Sequence, residues 1–289
     1  MKCSKNDLRV DGFAGIDLKL VQDPRAFCFG IDAVLLSDFA RVKRDDAVID
    51  LGTGSGVIPL IMSRLDERAA DDVRSSGVER RSDGARSSDG QKFTALEIQK
   101  EQAELARQNV QINLLENKIK IVHGDIKNVR ALFAPQSFNV VTSNPPYAVY
   151  TPAADYSGGR SEKAPEKKSR SSEKPGTTPD AKTIARQEVF CNLEDVIKAA
   201  SYLLKPHGRF YMIHRPERLQ DMMTYFSKYN LAAKQFRFVQ PFCDSAPTML
   251  LVQAVKDAKC GVKIEKPLTV YKEKNIYSEE VSDIYKKLN

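Results

Sequence analysis

Histidine is scarce in this chain and cysteine is scattered. The 289 residues hold three histidines, His123, His207 and His214, none at ligand spacing. They also hold five cysteines (Cys3, Cys28, Cys191, Cys243, Cys260), an odd number, far apart and never in C-x-x-C spacing. These absences argue against a zinc or other first-row metal site and against a disulfide framework. The chemistry is therefore expected to need no metal. No run of eighteen or more apolar residues occurs, and the start Met1-Lys2-Cys3-Ser4-Lys5-Asn6-Asp7 runs into charge instead of an apolar signal core. A soluble, cytoplasmic protein with no membrane partner is the expectation. The Gly-Lys-Ser/Thr of a triphosphate-binding P-loop is missing as well.

What is present reads as a globular α/β chain. Net charge is +7 with a pI near 9.0, which permits a polyanionic partner through counterion release without proving one. Residues Leu8 to Val21 alternate enough for a short β-hairpin turned by Asp11-Gly12 or Ala14-Gly15. The stretch Phe27 to Ala40 carries a helix with Asp32 as candidate N-cap; Phe29 and Asp32 at its start are placed to close over a ligand.

Ala47 to Gly52 is an apolar run too short for a helix. It ends at Gly52-Thr53-Gly54-Ser55-Gly56, and Val57 to Leu65 continues with helical period. Strand, glycine turn, helix is a nucleotide-binding opening, since glycines let a ligand approach the backbone and the helix N–H groups. Residues Asp66 to Lys92 lack apolar periodicity and read as an irregular surface insertion. Phe93 to Ile98 and Ile119 to Asp125 are further strands, each ending in an acid, Glu97 and Asp125. Removing the 27-residue insertion from the 45 residues between Gly52 and Glu97 leaves about 18, near the spacing of a ribose-binding acid. Asp125 is then a candidate acceptor for an adenine amino group. Val57 stands where the last glycine of the G-x-G-x-x-G dinucleotide fingerprint belongs, which disfavours a dinucleotide oxidoreductase.

The fourth strand, Phe138 to Ser143, delivers Asn144-Pro145-Pro146-Tyr147 to the carboxyl end of the sheet, where open α/β folds place their sites. Two prolines fix φ and remove two N–H donors. Asn144 offers a side-chain carbonyl and Tyr147 an aromatic face, so the group can accept from a planar amine while stacking on its ring. Taken alone, the tetrapeptide is also an ordinary proline turn. A second irregular segment, Ala148 to about Pro179, has a basic excess that includes Arg160, Lys167, Lys168 and Arg170. Beyond it we expect helices at Ile184–Leu204 and Pro216–Tyr229, a strand at Gly208–His214, and an antiparallel strand pair at Ala232–Val239 and Thr248–Lys256.

Together, Asp50-Leu51-Gly52-Thr53-Gly54-Ser55-Gly56, Glu97, Asp125 and Asn144-Pro145-Pro146-Tyr147 resemble the motif series of S-adenosylmethionine-dependent methyltransferases acting on planar nitrogens. Phe29-Gly30-Ile31-Asp32-Ala33-Val34-Leu35-Leu36, Ile184-Ala185-Arg186-Gln187-Glu188, His214-Arg215-Pro216-Glu217-Arg218-Leu219 and Ala246-Pro247-Thr248-Met249-Leu250 are similar to the tRNA1(Val) adenine-37 N6-methyltransferase family. The resemblance implies a Rossmann-like class I fold: a mostly parallel seven-stranded sheet with an antiparallel terminal hairpin and small β appendages at both ends. The chain is expected to divide into a lid over 1–40, a catalytic domain over 41–256 and an appended hairpin over 257–289; its insertions at about 66–92 and 148–180 depart from the family pattern.

It further implies S-adenosylmethionine held by Phe29, Asp50, Gly52, Gly54, Gly56, Glu97, Ile98, Asp125, Ile126 and Asn144, and a tRNA adenine held by Asn144, Pro145, Pro146 and Tyr147. Hydrogen bonds from the amine to the Asn144 side chain and the Pro145 carbonyl would pyramidalise its nitrogen, with the flipped base stacked on Tyr147. Three rivals share part of this pattern: a glutamine N5-methyltransferase of release factors, a ribosomal RNA guanine N2-methyltransferase, and a non-catalytic nucleotide-binding module. The oligomeric state is not legible.

Overall fold

The computed structural model describes residues 9–12, 18–22, 30–75, 91–147 and 191–288. Phe29, the motif at 184–188 and the segment 148–180 lie outside them.

Strands β3 (Val48–Leu51), β4 (Phe93–Glu97), β5 (Ile119–His123), β6 (Phe138–Ser143), β7 (Leu204–His214), β8 (Leu231–Gln240) and β9 (Met249–Lys256) form one sheet in the order 8-9-7-6-3-4-5. All pairings among β3 to β7 are parallel, and β9 runs antiparallel between β7 and β8. That is the expected mostly parallel sheet with a terminal hairpin. β3 is buried at all four positions and β4 at all five, the continuous apolar reading of strands covered on both faces.

Alternate residues feed two cores. Val48, Phe93 and Val140 point to one with α1 (Ile31–Phe39), α2 (Val57–Ser75) and α3 (Lys100–Ile112). Ile49, Leu96 and Val141 point to the other, with the short α4 (Val129–Leu132), α5 (Leu193–Leu203) and α6 (Leu219–Lys228).

The N-terminal hairpin pairs β1 (Arg9–Gly12) with β2 (Lys19–Gln22), its connection falling at residues 13–18. β2 is held by side chains that stand in for a neighbouring strand. Asn109 Oδ1 accepts from Val21 N (2.7 Å), and its Nδ2 donates to the carbonyls of Val21 and Ser55 (both 3.0 Å). One turn on, Asn113 exchanges the same pair of bonds with Lys19.

Two expectations need correction. α2 continues to Ser75, ten residues into the stretch read as irregular. Its first part is fastened by charge instead of apolar period: Arg64 to Glu67 (2.9 Å), Lys92 to Asp66 (2.6 Å) and Lys118 to Glu67. The region 257–289 is more than a hairpin. Two-residue strands β10 (Lys263–Ile264) and β11 (Leu268–Thr269) pair with β8 and widen the sheet to nine strands. The hairpin of β12 (Tyr271–Glu273) and β13 (Ile276–Tyr277) then leads into a helix, α7 (Glu279–Lys287), capped by Ser278.

Val270, Val281, Ile284 and Leu288 join the same core as α1 and α2. Phe242, Tyr271, Tyr277 and Tyr285 form a stack with centroids 5.3–5.8 Å apart. Ile284→Ala should therefore cost about 2–5 kcal/mol in urea unfolding, whereas a loosely appended tail would lose almost nothing.

Candidate active site

Because β3 lies between β4 and β6 with Leu51 opposite both Leu96 and Ser143, three strand ends emerge side by side. They carry the glycine turn, Glu97 and Asn144-Pro145-Pro146-Tyr147. The turn takes left-handed φ at Gly52 (+72°), Gly54 (+57°) and Gly56 (+85°). At Gly54 an added side chain would meet nothing within 4 Å, so its outer face is open. At Gly56 an added Cβ would sit 3.2 Å from Ala106 Cβ, which sets the close approach of α2 to α3.

Buried Glu97 closes the turn from the next strand. Its Oε2 accepts from Gly54 N (2.8 Å) and its Oε1 from Gln99 N (2.9 Å). Burial raises its pKa and these backbone donors oppose the rise. Its oxygens are not saturated by backbone donors, so accepting from a ligand hydroxyl remains open. Half-buried Ile98 follows it, with its carbonyl on His123 Nε2 (3.0 Å). Asp125 Oδ1 caps a short 3₁₀ turn, Ile126–Asn128, through Lys127 N (2.8 Å), and Ile126 reaches back toward Gly52. Gly52, Gly54, Glu97, Ile98, Asp125 and Ile126 thus share one edge of the sheet.

Asp50 is not at the surface of this cradle. It is 1 % exposed, under the glycine turn, with Oδ1 accepting from Thr142 Oγ1 (2.7 Å). Burial pushes its pKa up to about 7, opposed by the hydroxyls of Thr142 and Thr53 and reinforced by Glu97. A buried charge with so few hydrogen-bonding neighbours is costly, so the group keeps its proton to higher pH than it would in water. Its place is beneath the ligand edge, not on it.

The opposite wall is built around Asp32. The N-cap of α1 is Gly30, and Asp32 is the second helical residue, so the expected capping role passes to the backbone. A Cβ at position 30 would stand 2.7 Å from Asp32 Oδ1; only glycine lets this carboxylate fold back. Oδ1 accepts from Ala33 N (3.0 Å), while Oδ2 accepts from Asn144 Nδ2 (3.0 Å) and the Tyr147 hydroxyl (2.7 Å). That hydroxyl also lies 2.8 Å from Asn144 Oδ1.

Burial and the Asp32 charge hold the phenol pKa well above its ordinary value. Arg215 lies over the Tyr147 ring, 5.1 Å from its centroid, and His214 meets it edge-on at 5.6 Å. His214 Nδ1 accepts from Arg215 N (2.8 Å), so Nε2 carries the hydrogen and is buried without a partner. Burial, then Arg218 and Arg215, push its pKa down to about 4, which keeps it neutral.

Sequence reasoning missed Asn109, Asn113 and the partners of Asp32. The four-residue spacing of the two asparagines on one helix was the available signal for the first pair. Nothing local announces that Asp32 meets residues 112 and 115 positions away.

The Asp50 geometry sets a pH dependence. Its folded pKa of about 7 exceeds the ordinary 3.8, so the stability associated with the protonated form is complete below about 3.8 and lost as pH rises through about 7. Asp50→Asn removes that loss. Its unfolding free energy relative to wild type should increase from about pH 4 to about pH 7 and then level off. A difference independent of pH would show that the buried carboxyl does not titrate in this range.

A methyltransferase-domain family model matches residues 42–272. The tRNA1(Val) (adenine(37)-N6)-methyltransferase of Porphyromonas gingivalis is 27 % identical over 228 residues, covering 77 % of this chain and 72 % of that protein. The Bacteroides thetaiotaomicron protein of the same name is 24 % identical over 264 residues, covering 91 % and 90 %. Among solved structures, a predicted O-methyltransferase from Agrobacterium tumefaciens superposes with a TM-score of 0.59 at 18 % identity, covering 89 % of this chain and 96 % of that one. The M. jannaschii tRNA m1G37 methyltransferase gives 0.50 at 15 %, covering 89 % and 59 %. These likenesses establish the fold, and the family match spans the glycine turn, both strand-end acids and the Asn-Pro-Pro-Tyr edge: the chain belongs to the methyltransferase-domain family.

Proposed function

We propose that this methyltransferase uses S-adenosylmethionine to methylate the N6 nitrogen of a tRNA adenine, the base at position 37 of tRNA1(Val), in the cytoplasm. The observation that carries the reading is the Asn144 amide beside the glycine turn, anchored through Nδ2 so that Oδ1 is the atom offered to a donor. The names of the relatives supply the RNA and the position. Among the described residues no helix is long and apolar enough to cross a membrane.

The residues at the sheet edge fit the cofactor. Gly54 presents open backbone at positive φ, Glu97 has lone pairs for ribose hydroxyls, and Asp125 has Oδ2 for an adenine amine. Gly52, Gly56, Ile98 and Ile126 complete that wall, Asp50 supports it from below, and Phe29 and Asn144 are assigned to it by resemblance. When bound, S-adenosylmethionine supplies a methyl group activated by its sulfonium.

The remaining work falls to this chain. An exocyclic adenine nitrogen is a poor nucleophile because its lone pair is delocalised into the ring. Hydrogen bonds from its N–H groups to Asn144 Oδ1 and the Pro145 carbonyl favour a pyramidal nitrogen with an available lone pair. The methylated nitrogen then releases its proton to water, so no general base is needed. Tyr147 supplies the ring for the flipped base.

Charge beside the site favours RNA. Exposed Arg215 is anchored to Thr248 O (3.1 Å) over Tyr147 and is available to a phosphate, whereas Arg218 is engaged with Asp221 (2.7 Å). A protein glutamine substrate offers no reason for that cation.

Asn144→Ala should lower kcat by about 10²–10³ while leaving the cofactor Kd within about threefold. Equal losses in both would place the main work of Asn144 on the cofactor instead of the amine. Binding of unmodified tRNA should weaken by at least about tenfold between 50 and 200 mM salt, and Arg215→Ala should reduce that slope. Binding insensitive to salt would remove the RNA reading of these charges.

A further inference from the structure

Asp32 is 6 % exposed and takes three donors, two of them from the Asn-Pro-Pro-Tyr edge. An acid in the first turn of a helix is ordinarily explained by the helix dipole. That explains the bond to Ala33 N and nothing about Oδ2. A carboxylate accepts only, so any amide facing Oδ2 must turn its nitrogen toward it. Asn144 obeys, and its carbonyl oxygen consequently faces the other way.

The phenol adds a second constraint. It carries one proton and stands within hydrogen-bond distance of both Asp32 Oδ2 (2.7 Å) and Asn144 Oδ1 (2.8 Å). A charged acceptor binds a donor more strongly than a neutral one. With Asp32 in place the proton is drawn to the carboxylate, and the Asn144 oxygen is left to be filled by another donor. Without Asp32 the amide is free to flip, and the phenol proton turns to Oδ1 and competes with the substrate amine for its lone pairs.

We propose that Asp32 is the positioning residue of this site: it fixes the Asn144 amide with Nδ2 inward and diverts the Tyr147 proton, so that Asn144 Oδ1 stays free for the substrate amine. This role rests on the methyl-transfer reading and adds to it a residue on α1, outside the tetrapeptide. Asp32 acts through Asn144 and Tyr147 and need touch neither substrate nor cofactor.

The test is a charge relocation between Asp32 and Asn144. Asp32→Asn alone should reduce kcat about tenfold, because an amide with its oxygen on Ala33 N turns a donor toward Asn144 Nδ2 and no longer draws the phenol proton. Asn144→Asp alone should lower kcat more, since two carboxylates would then share the same donors. In the double variant the amide introduced at position 32 donates to the carboxylate introduced at position 144 and still accepts from Ala33 N, while that carboxylate, with two lone pairs on each oxygen, accepts from both the phenol and the amine. Asp32→Asn should therefore raise kcat at least about tenfold in the Asn144→Asp background, the opposite sign to its effect in wild type. S-adenosylhomocysteine affinity and melting temperature should stay near wild type in the double variant. Effects of the same sign in both backgrounds, or a loss of cofactor affinity matching the loss of kcat in Asp32→Ala, would overturn the proposal.

A second readout needs no substrate. The Asn144 side-chain amide resonance, identified by its disappearance in Asn144→Ala, should exchange slowly with solvent in wild type and at the rate of a free asparagine in Asp32→Ala. Unchanged exchange would overturn the anchoring. Wild-type protein inert toward tRNA would sink the tRNA-methylation reading and leave this measurement to decide the role of Asp32.

Discussion

The parallel pairing of β3 with β4 on one side and β6 on the other is the constraint everything else follows. Parallel strands end together, so the turn after Leu51, the acid closing β4 and the tetrapeptide leaving β6 must share one edge. The pairing is sustained by burial on both faces, where continuous Val, Ile, Leu and Phe runs meet helices on each side. Polar residues pin the same three strands near their ends: Thr142 to Asp50, Ser143 Oγ to the Leu51 carbonyl (2.9 Å), and Glu97 to Gly54. A shift of one residue in β6 would move Asn144 off the edge and send its buried residues to the wrong face.

Around that edge the protein tolerates buried polar groups that a purely structural core would avoid. Asp50 holds a proton it would lose in water, and His214 lacks one it would otherwise share near neutral pH. Burial favours the neutral form of both. Asp32 differs in that three donors surround it. The division is functional in effect: neutral groups support the floor of the site, and the coordinated carboxylate sets the direction of its acceptor.

Much of this was legible in the sequence because its signals are local. Gly52, Gly54 and Gly56 sit where a strand turns sharply into a helix, Glu97 and Asp125 end apolar runs, and the two prolines leave no other secondary structure for residues 145 and 146. The mostly parallel sheet with its antiparallel end pair followed from the alternation of apolar runs with helical period. What escaped detection lies in tertiary contact. Charged pairs prolong α2 where no apolar period does. Val281, Ile284 and Leu288 are too few to announce that the tail belongs to the core. Asp32 satisfied a capping rule that the backbone at Gly30 in fact fulfils, and its two decisive partners lie more than a hundred residues downstream.

Methyl transfer from labelled S-adenosylmethionine into separate pools of unmodified tRNA, ribosomal RNA and release factor, followed by nucleoside and amino-acid analysis, tests the central claim most directly. The account predicts label in N6-methyladenosine at position 37 of tRNA1(Val). Label confined to guanosine or to glutamine would contradict the assigned substrate while keeping the fold, and no label in any pool would contradict catalysis itself.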